Sequence, residues 1–202
     1  MHLADLPLPD TAAARSAVEV TRRFQSPALV NHGIRSYLWA AAAARTQGLE
    51  VDDELLFVSA MLHDLGLEPA FDSHTLPFEV AGGLVAWVFA AGAGWPDARR
   101  NRAAEIIERH MAPSVDPDVD PEGYLLEIAT GLDISGSNPG AWSPALRAEV
   151  LAAHPRLTLA EEFTECIRDQ ALRKPSSQAA RVVASGVADR LAHHPLDAPQ
   201  QT

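Results

Sequence analysis

Four residues along the middle of the chain carry the donor atoms of a divalent-metal site: His32, the adjacent pair His63-Asp64, and Asp133. Two imidazoles and two carboxylates form a nitrogen and oxygen set that suits Zn²⁺, Fe²⁺, Mn²⁺, Co²⁺ or Ni²⁺, and does not suit Cu⁺ or an iron–sulfur cluster. A His-Asp dipeptide alone is unspecific, because chance supplies one in about every second chain of this composition. Its setting is more informative. His63-Asp64 lies between Met61-Leu62 and Leu65, and a histidine and an ionised carboxylate among such neighbours are costly to bury unless paired or bound to a metal. The plain alternative is a histidine hydrogen-bonded to a nearby carboxylate at a helix end, favoured by the local dipole when charged. Adjacent helical residues point about 100° apart, so the pair shares one ion only if it sits across the helix end, with other helices completing the site. A cation held this way makes hydroxide available near neutral pH, and the chemistry indicated is attack of metal-activated water on a small polar electrophile.

Helices must position these donors. The chain is rich in alanine, as in Ala40 to Ala44, and lacks runs of alternating β-branched residues, which predicts an all-α fold. Ser26-Pro27, Asp120-Pro121 and Ser143-Pro144 each put a capping residue before a proline at a first helical position. Apolar periodicity predicts helices over 11–24, 27–47, 53–65, 77–92, 97–111, 121–132, 144–152, 159–173 and 177–192. Gly66 is expected to close the third of these as a left-handed residue, with His63-Asp64 in its last turn. Asp133 is expected at the end of the apolar helix before Gly136, and His32 lies six residues after the cap Ser26. Short connections predict one compact helical-bundle domain over 1–202, its motif-bearing core at about 27–136, with Ala112 to Asp120 as a solvated loop.

Composition limits partners. The net charge is −11 and Lys174 is the only lysine, so no basic face is available for phosphates and no nucleic-acid partner is expected. The lone Cys166 excludes an intramolecular disulfide and a cysteine metal site. No apolar run is long enough to span a membrane and the N-terminus lacks a signal-peptide pattern, so the expectation is a cytoplasmic protein with a small-molecule substrate and no membrane partner. Self-association into a homo-oligomer stays open. Trp39, Phe57, Trp87, Phe89 and Phe163 are expected in the core or a pocket wall, His74 at a loop or pocket rim, and His154, His193 and His194 in solvent.

The order His32…His63-Asp64…Asp133 on consecutive helices resembles the HD-domain superfamily of metal-dependent hydrolases, over about Asn31 to Gly136. Within it, Phe78-Glu79-Val80-Ala81-Gly82, Ile106-Ile107-Glu108-Arg109-His110 and Ala129 to Gly136 are similar to segments of the cyanamide-hydratase-like branch. Pro77 is a departure, since that branch carries arginine there. The resemblance implies a helical bundle of the HD type holding one divalent transition metal, zinc first, on His32, His63, Asp64 and Asp133. It further implies that Glu79 and His110 face the pocket as a proton shuttle or as groups orienting the ligands. Arg35, one turn after His32, is either a surface arginine or an anion contact for substrate. His74 and His110 also permit the order H…HD…H…H…D of the two-metal members, among them phosphodiesterases and diiron oxygenases. The short gap from His63 to His74 fits that poorly.

Two activities follow. Hydration of cyanamide or a related nitrile to a urea or amide needs a small pocket, with Glu79 or His110 relaying a proton. Hydrolysis of a nucleotide or other phosphoester, the alternative, needs an arginine on the developing charge. Some of Arg99, Arg100, Arg102 and Arg109 must point outward on one helix, and Lys174 is remote, so a small uncharged substrate is favoured. A binding module without chemistry is the third reading, opposed by the intact ligand set.

Overall fold

The computed structural model describes residues 1–197. Ten α-helices occur among them, and no strand: α1 (Ala12–Phe24), α2 (Pro27–Gln47), α3 (Asp53–Leu62), α4 (Phe78–Gly92), α5 (Asp97–Arg109), α6 (Pro121–Ser135), α7 (Pro144–Ala153), α8 (Leu159–Arg173), α9 (Gln178–Ala184) and α10 (Val187–Ala192). The expected all-α bundle is what the chain forms. The three proline-marked starts behave as their sequence requires: Ser26, Asp120 and Ser143 accept hydrogen bonds from the backbone N–H of Leu29, Gly123 and Leu146.

Helix α2 is the centre of the bundle. It is buried on every side from Ala28 to Ala44 except at Asn31, as expected for a helix apolar all round. Its alanines let α1, α3 and α6 pack closely around it, with Leu38, Trp39, Leu56, Phe57, Leu62 and Leu126 filling the space between. Each such side chain contributes roughly 1.5–3 kcal/mol by leaving water. A second apolar cluster joins Leu29, Phe78 and Ile134 to Phe163, Ile167 and Leu191 of the C-terminal helices. No helix among the described residues is long and apolar enough to cross a membrane.

Three expectations about helix ends need correction. Helix α3 stops at Leu62, with His63 as its C-cap, and a 3₁₀ turn over Leu65–Leu67 follows. Gly66 is not a left-handed cap. It is small because α4 begins against it: a Cβ there would lie 2.0 Å from the Phe78 carbonyl oxygen. Gly82 plays the matching part on α4, where a Cβ would come within 2.8 Å of the His63 carbonyl oxygen. Together they press α4 onto the segment carrying His63-Asp64. Helix α6 runs through Ser135 and is closed by Gly136 at φ +67°, so Asp133 lies inside its last turn. The helix expected over 177–192 is two helices, broken at Gly186 with φ +81°.

Candidate metal centre

His32 reaches the site from the second turn of α2, His63 from the cap of α3, and Asp64 from the start of the following turn. All three are buried, and one donor atom from each lies within 4.8 Å of the others. His32 Nε2 and His63 Nε2 are 3.1 Å apart, and Asp64 Oδ2 stands 3.5 Å from the first and 3.3 Å from the second. His63 Nδ1–H donates to the Ala60 carbonyl at 2.7 Å, and His32 Nδ1–H donates to Asp133 Oδ2 at 2.7 Å. Each neutral ring has one N–H, so both Nε2 atoms carry bare lone pairs that face each other. Both buried oxygens of Asp64 also lack a hydrogen-bond donor. Three electron-rich groups without donors fit a shared cation, and a nitrogen, nitrogen and oxygen set at these separations suits zinc or a similar divalent ion.

The local electrostatics agree with that fit. Burial opposes a charged His63, but the neighbouring Asp64 carboxylate outweighs it and holds the pKa above its ordinary value. Burial lowers that of His32 despite Asp133. Burial works against the Asp64 carboxylate, yet His63 and His32 keep it well below the usual range. Without metal the cluster therefore favours an extra proton near His63. A divalent cation would displace it.

Asp133 is placed differently from the expected fourth ligand. It lies behind His32, on the Nδ1 side of the ring, outside the group of convergent donors. Arg35 grips it at two points, Nε to Oδ1 at 2.9 Å and Nη2 to Oδ2 at 2.7 Å, and Trp39 Nε1 donates to Oδ1 at 3.1 Å. Burial opposes its charge, and Arg35 keeps its pKa well below the ordinary value. The reason for the displacement lies in helix geometry. Glu127, Thr130, Gly131 and Ile134 of α6 face the pocket, and Asp133 projects about 100° to one side of that line.

Arg35 is accordingly not a surface residue, and it does not line the metal pocket. It is fully buried, pairs with Asp133, and donates through Nη1 to the carbonyls of His154 and Pro155 at 3.1 Å each. Glu79 also departs from expectation. It is buried in the first turn of α4 but does not line the metal pocket. Burial pushes its carboxyl above the ordinary range, and Lys174 opposes this in part. His110 does face the pocket. Its ring stands edge-on to His63 at 4.9 Å, its Nδ1–H donates to the Ile107 carbonyl, and Nε2 is left as a free acceptor. Burial, followed by the charge of His63, lowers its pKa to about 3. His74 is exposed and outside the site. His194, expected in solvent, is buried with Nε2–H donating to the Leu132 carbonyl.

The pocket over the three donors has a volume of about 140 Å³ and is walled by His110, Met111, Phe163, Ile134 and Thr130. No arginine or lysine lines it among the described residues. The cations of α5 are engaged elsewhere: Arg99 with Asp52 and Glu54, Arg100 with Asp97, and Arg102 and Arg109 with Asp120. Lys174 is held by Asp72 and Gln170. Sequence reasoning missed Glu127 and Thr130. Their spacing with Gly131 and Ile134 is helical, but nothing in the sequence says which face of α6 borders a cavity.

The chain is similar to cyanamide hydratases. Two enzymes of Saccharomyces cerevisiae, cyanamide hydratase DDI2 and cyanamide hydratase DDI3, are each 28% identical to it over 177 residues, covering 85% of this chain and 78% of the relative. No protein-family model matches. The similarity supports enzymatic activity of a hydratase-like kind.

Proposed function

We propose that this chain is a metal-dependent hydratase of the HD type that converts a small uncharged nitrile, cyanamide in the first instance, into urea. The observation that carries this reading is the absence of any guanidinium or ammonium group from the pocket lining among the described residues. A phosphoester brings negative charge that such a wall leaves unmatched, and a neutral nitrile brings none. The similarity to two cyanamide hydratases points the same way.

In this reading His32, His63 and Asp64 hold one divalent ion, zinc first, which supplies Lewis acidity and hydroxide near neutral pH. Asp133 is a positioning residue. Fixed by Arg35 and Trp39, it keeps His32 in the tautomer whose Nε2 points at the ion, as a carboxylate behind a ligating histidine does. His110 Nε2, the free acceptor beside His63 and too weak a base to hold the proton itself, accepts a hydrogen bond from the attacking water and orients it. Phe163, Met111 and Ile134 exclude bulk water.

The test is urea release from cyanamide by metal-loaded protein, with bound metal determined on the same sample. Urea formation with about one metal per chain, both lost in His63→Ala, supports the reading. Turnover of a phosphodiester or nucleotide without urea formation overturns it.

A further inference from the structure

A second cavity of about 340 Å³ lies beside the metal pocket along α6. Two residues line both: Glu127 and Gly131. Tyr124, Ile128 and Trp142 give the second cavity apolar walls. The polar ends of its aromatics are already satisfied, since Trp142 Nε1 donates to the Trp39 carbonyl at 3.0 Å and the Tyr124 hydroxyl donates to Gln47 at 3.2 Å. The rings therefore offer apolar surface and no unmet donor.

The junction between the cavities has two unexplained features. Glu127 is half-buried, and burial alone pushes its carboxyl above the ordinary range, with neither a cation nor a donor acting on it. Gly131 sits inside a helix, where glycine costs about 1 kcal/mol relative to alanine. Packing does not demand it, because a Cβ there would meet nothing closer than Ser137 at 3.9 Å. The wall that the two cavities share on α6 therefore carries no side chain at Gly131, beside an acceptor without a donor at Glu127.

We propose that the two cavities form one substrate site, in which Glu127 accepts the N–H next to the nitrile and the second cavity receives the substituent on that nitrogen. The substrate class is monosubstituted cyanamides, R–NH–C≡N, with an apolar or aromatic R; this rests on the hydratase reading above. The reaction is R–NH–C≡N + H₂O → R–NH–CO–NH₂. A carbon–oxygen bond forms, the nitrile π bonds are replaced, both water hydrogens end on the former nitrile nitrogen, and nothing is oxidised. Cyanamide itself donates one N–H to Glu127 and leaves the second cavity unused. A disubstituted cyanamide has no N–H to donate.

The experiment compares cyanamide, benzylcyanamide and dimethylcyanamide as substrates of metal-loaded wild type, Gly131→Ala, Gly131→Leu and Glu127→Gln. Wild type is expected to hydrate benzylcyanamide and to discriminate against dimethylcyanamide. In Gly131→Leu the ratio of kcat/KM for benzylcyanamide to that for cyanamide falls by at least about tenfold, chiefly through KM, with Gly131→Ala between. Glu127→Gln narrows the gap between benzylcyanamide and dimethylcyanamide. A wild type that hydrates cyanamide but not benzylcyanamide overturns the proposal, as does an unmoved ratio in Gly131→Leu. Absence of urea from cyanamide is a failure of the hydratase reading instead. The shared site is then judged by calorimetric titration of benzylcyanamide, where binding to wild type that is lost in Gly131→Leu supports it and equal binding or none overturns it.

Discussion

Asp64 and Asp133 are both buried aspartates within reach of His32, and their surroundings are opposites. Asp64 has two oxygens and no hydrogen-bond donor, and it faces two bare imidazole nitrogens. Asp133 has contacts from Arg35, Trp39 and His32, and Arg156 donates to its backbone carbonyl. A buried carboxylate in the first condition is incomplete without a cation, and one in the second is complete without it. His32 lies between them, its Nδ1 fixed by the saturated carboxylate and its Nε2 turned towards the unsaturated one. One side of the ring is scaffold and the other is site.

The largest effect expected from this contrast is on folding. Asp133→Ala leaves the guanidinium of Arg35 buried and unpaired, and removing one partner of such a pair costs about 3–5 kcal/mol. Urea denaturation of the metal-free protein measures it; a loss below 1 kcal/mol would mean that Asp133 is not the structural carboxylate. Asp64→Asn is expected to act chiefly on the metal. It removes the carboxylate that keeps an extra proton near His63, so the metal-free protein loses some stability, less than in Asp133→Ala, while bound metal falls by at least about tenfold, since losing a carboxylate that only orients a ligating histidine already costs about 10–100-fold. A variant as unstable as Asp133→Ala would erase the distinction.

Much of the fold was legible because it depends on local chemistry. Ser26-Pro27, Asp120-Pro121 and Ser143-Pro144 show their helix starts in adjacent residues, and the apolar run through Ala40 to Ala44 shows a buried helix. The positions whose surroundings the sequence does not show are those whose reasons lie far along the chain. Gly66 is required by the Phe78 carbonyl on the next helix, Asp133 is claimed by Arg35 and Trp39 from α2, and His194 is buried by its bond to Leu132. Three of the four expected ligands converge because residue type constrains chemistry strongly. Type alone does not separate a carboxylate that faces the ion from one that holds a ligand in place.

A smaller effect tests the scaffold side through pH. Burial, followed by the charge of Arg156, lowers the pKa of His194 to about 4, while Asp133 and Asp197 act in the opposite sense. A depressed value means that the unfolded chain binds the proton more readily. Stability is therefore full above the ordinary histidine value of about 6.5 and declines as pH falls from there towards 4. His194→Gln should flatten that decline, read as the pH dependence of the denaturation midpoint between pH 7 and 4. A slope as steep as that of the wild type would assign the loss to another group.

The most direct test of the contrast between the two aspartates is an anomalous diffraction map of the zinc-loaded protein. The expected result is one peak about 2.0–2.2 Å from His32 Nε2, His63 Nε2 and an oxygen of Asp64, with Asp133 still gripped by Arg35. A peak coordinated by Asp133 with its Arg35 contacts broken, or no peak between the two histidines, would contradict it.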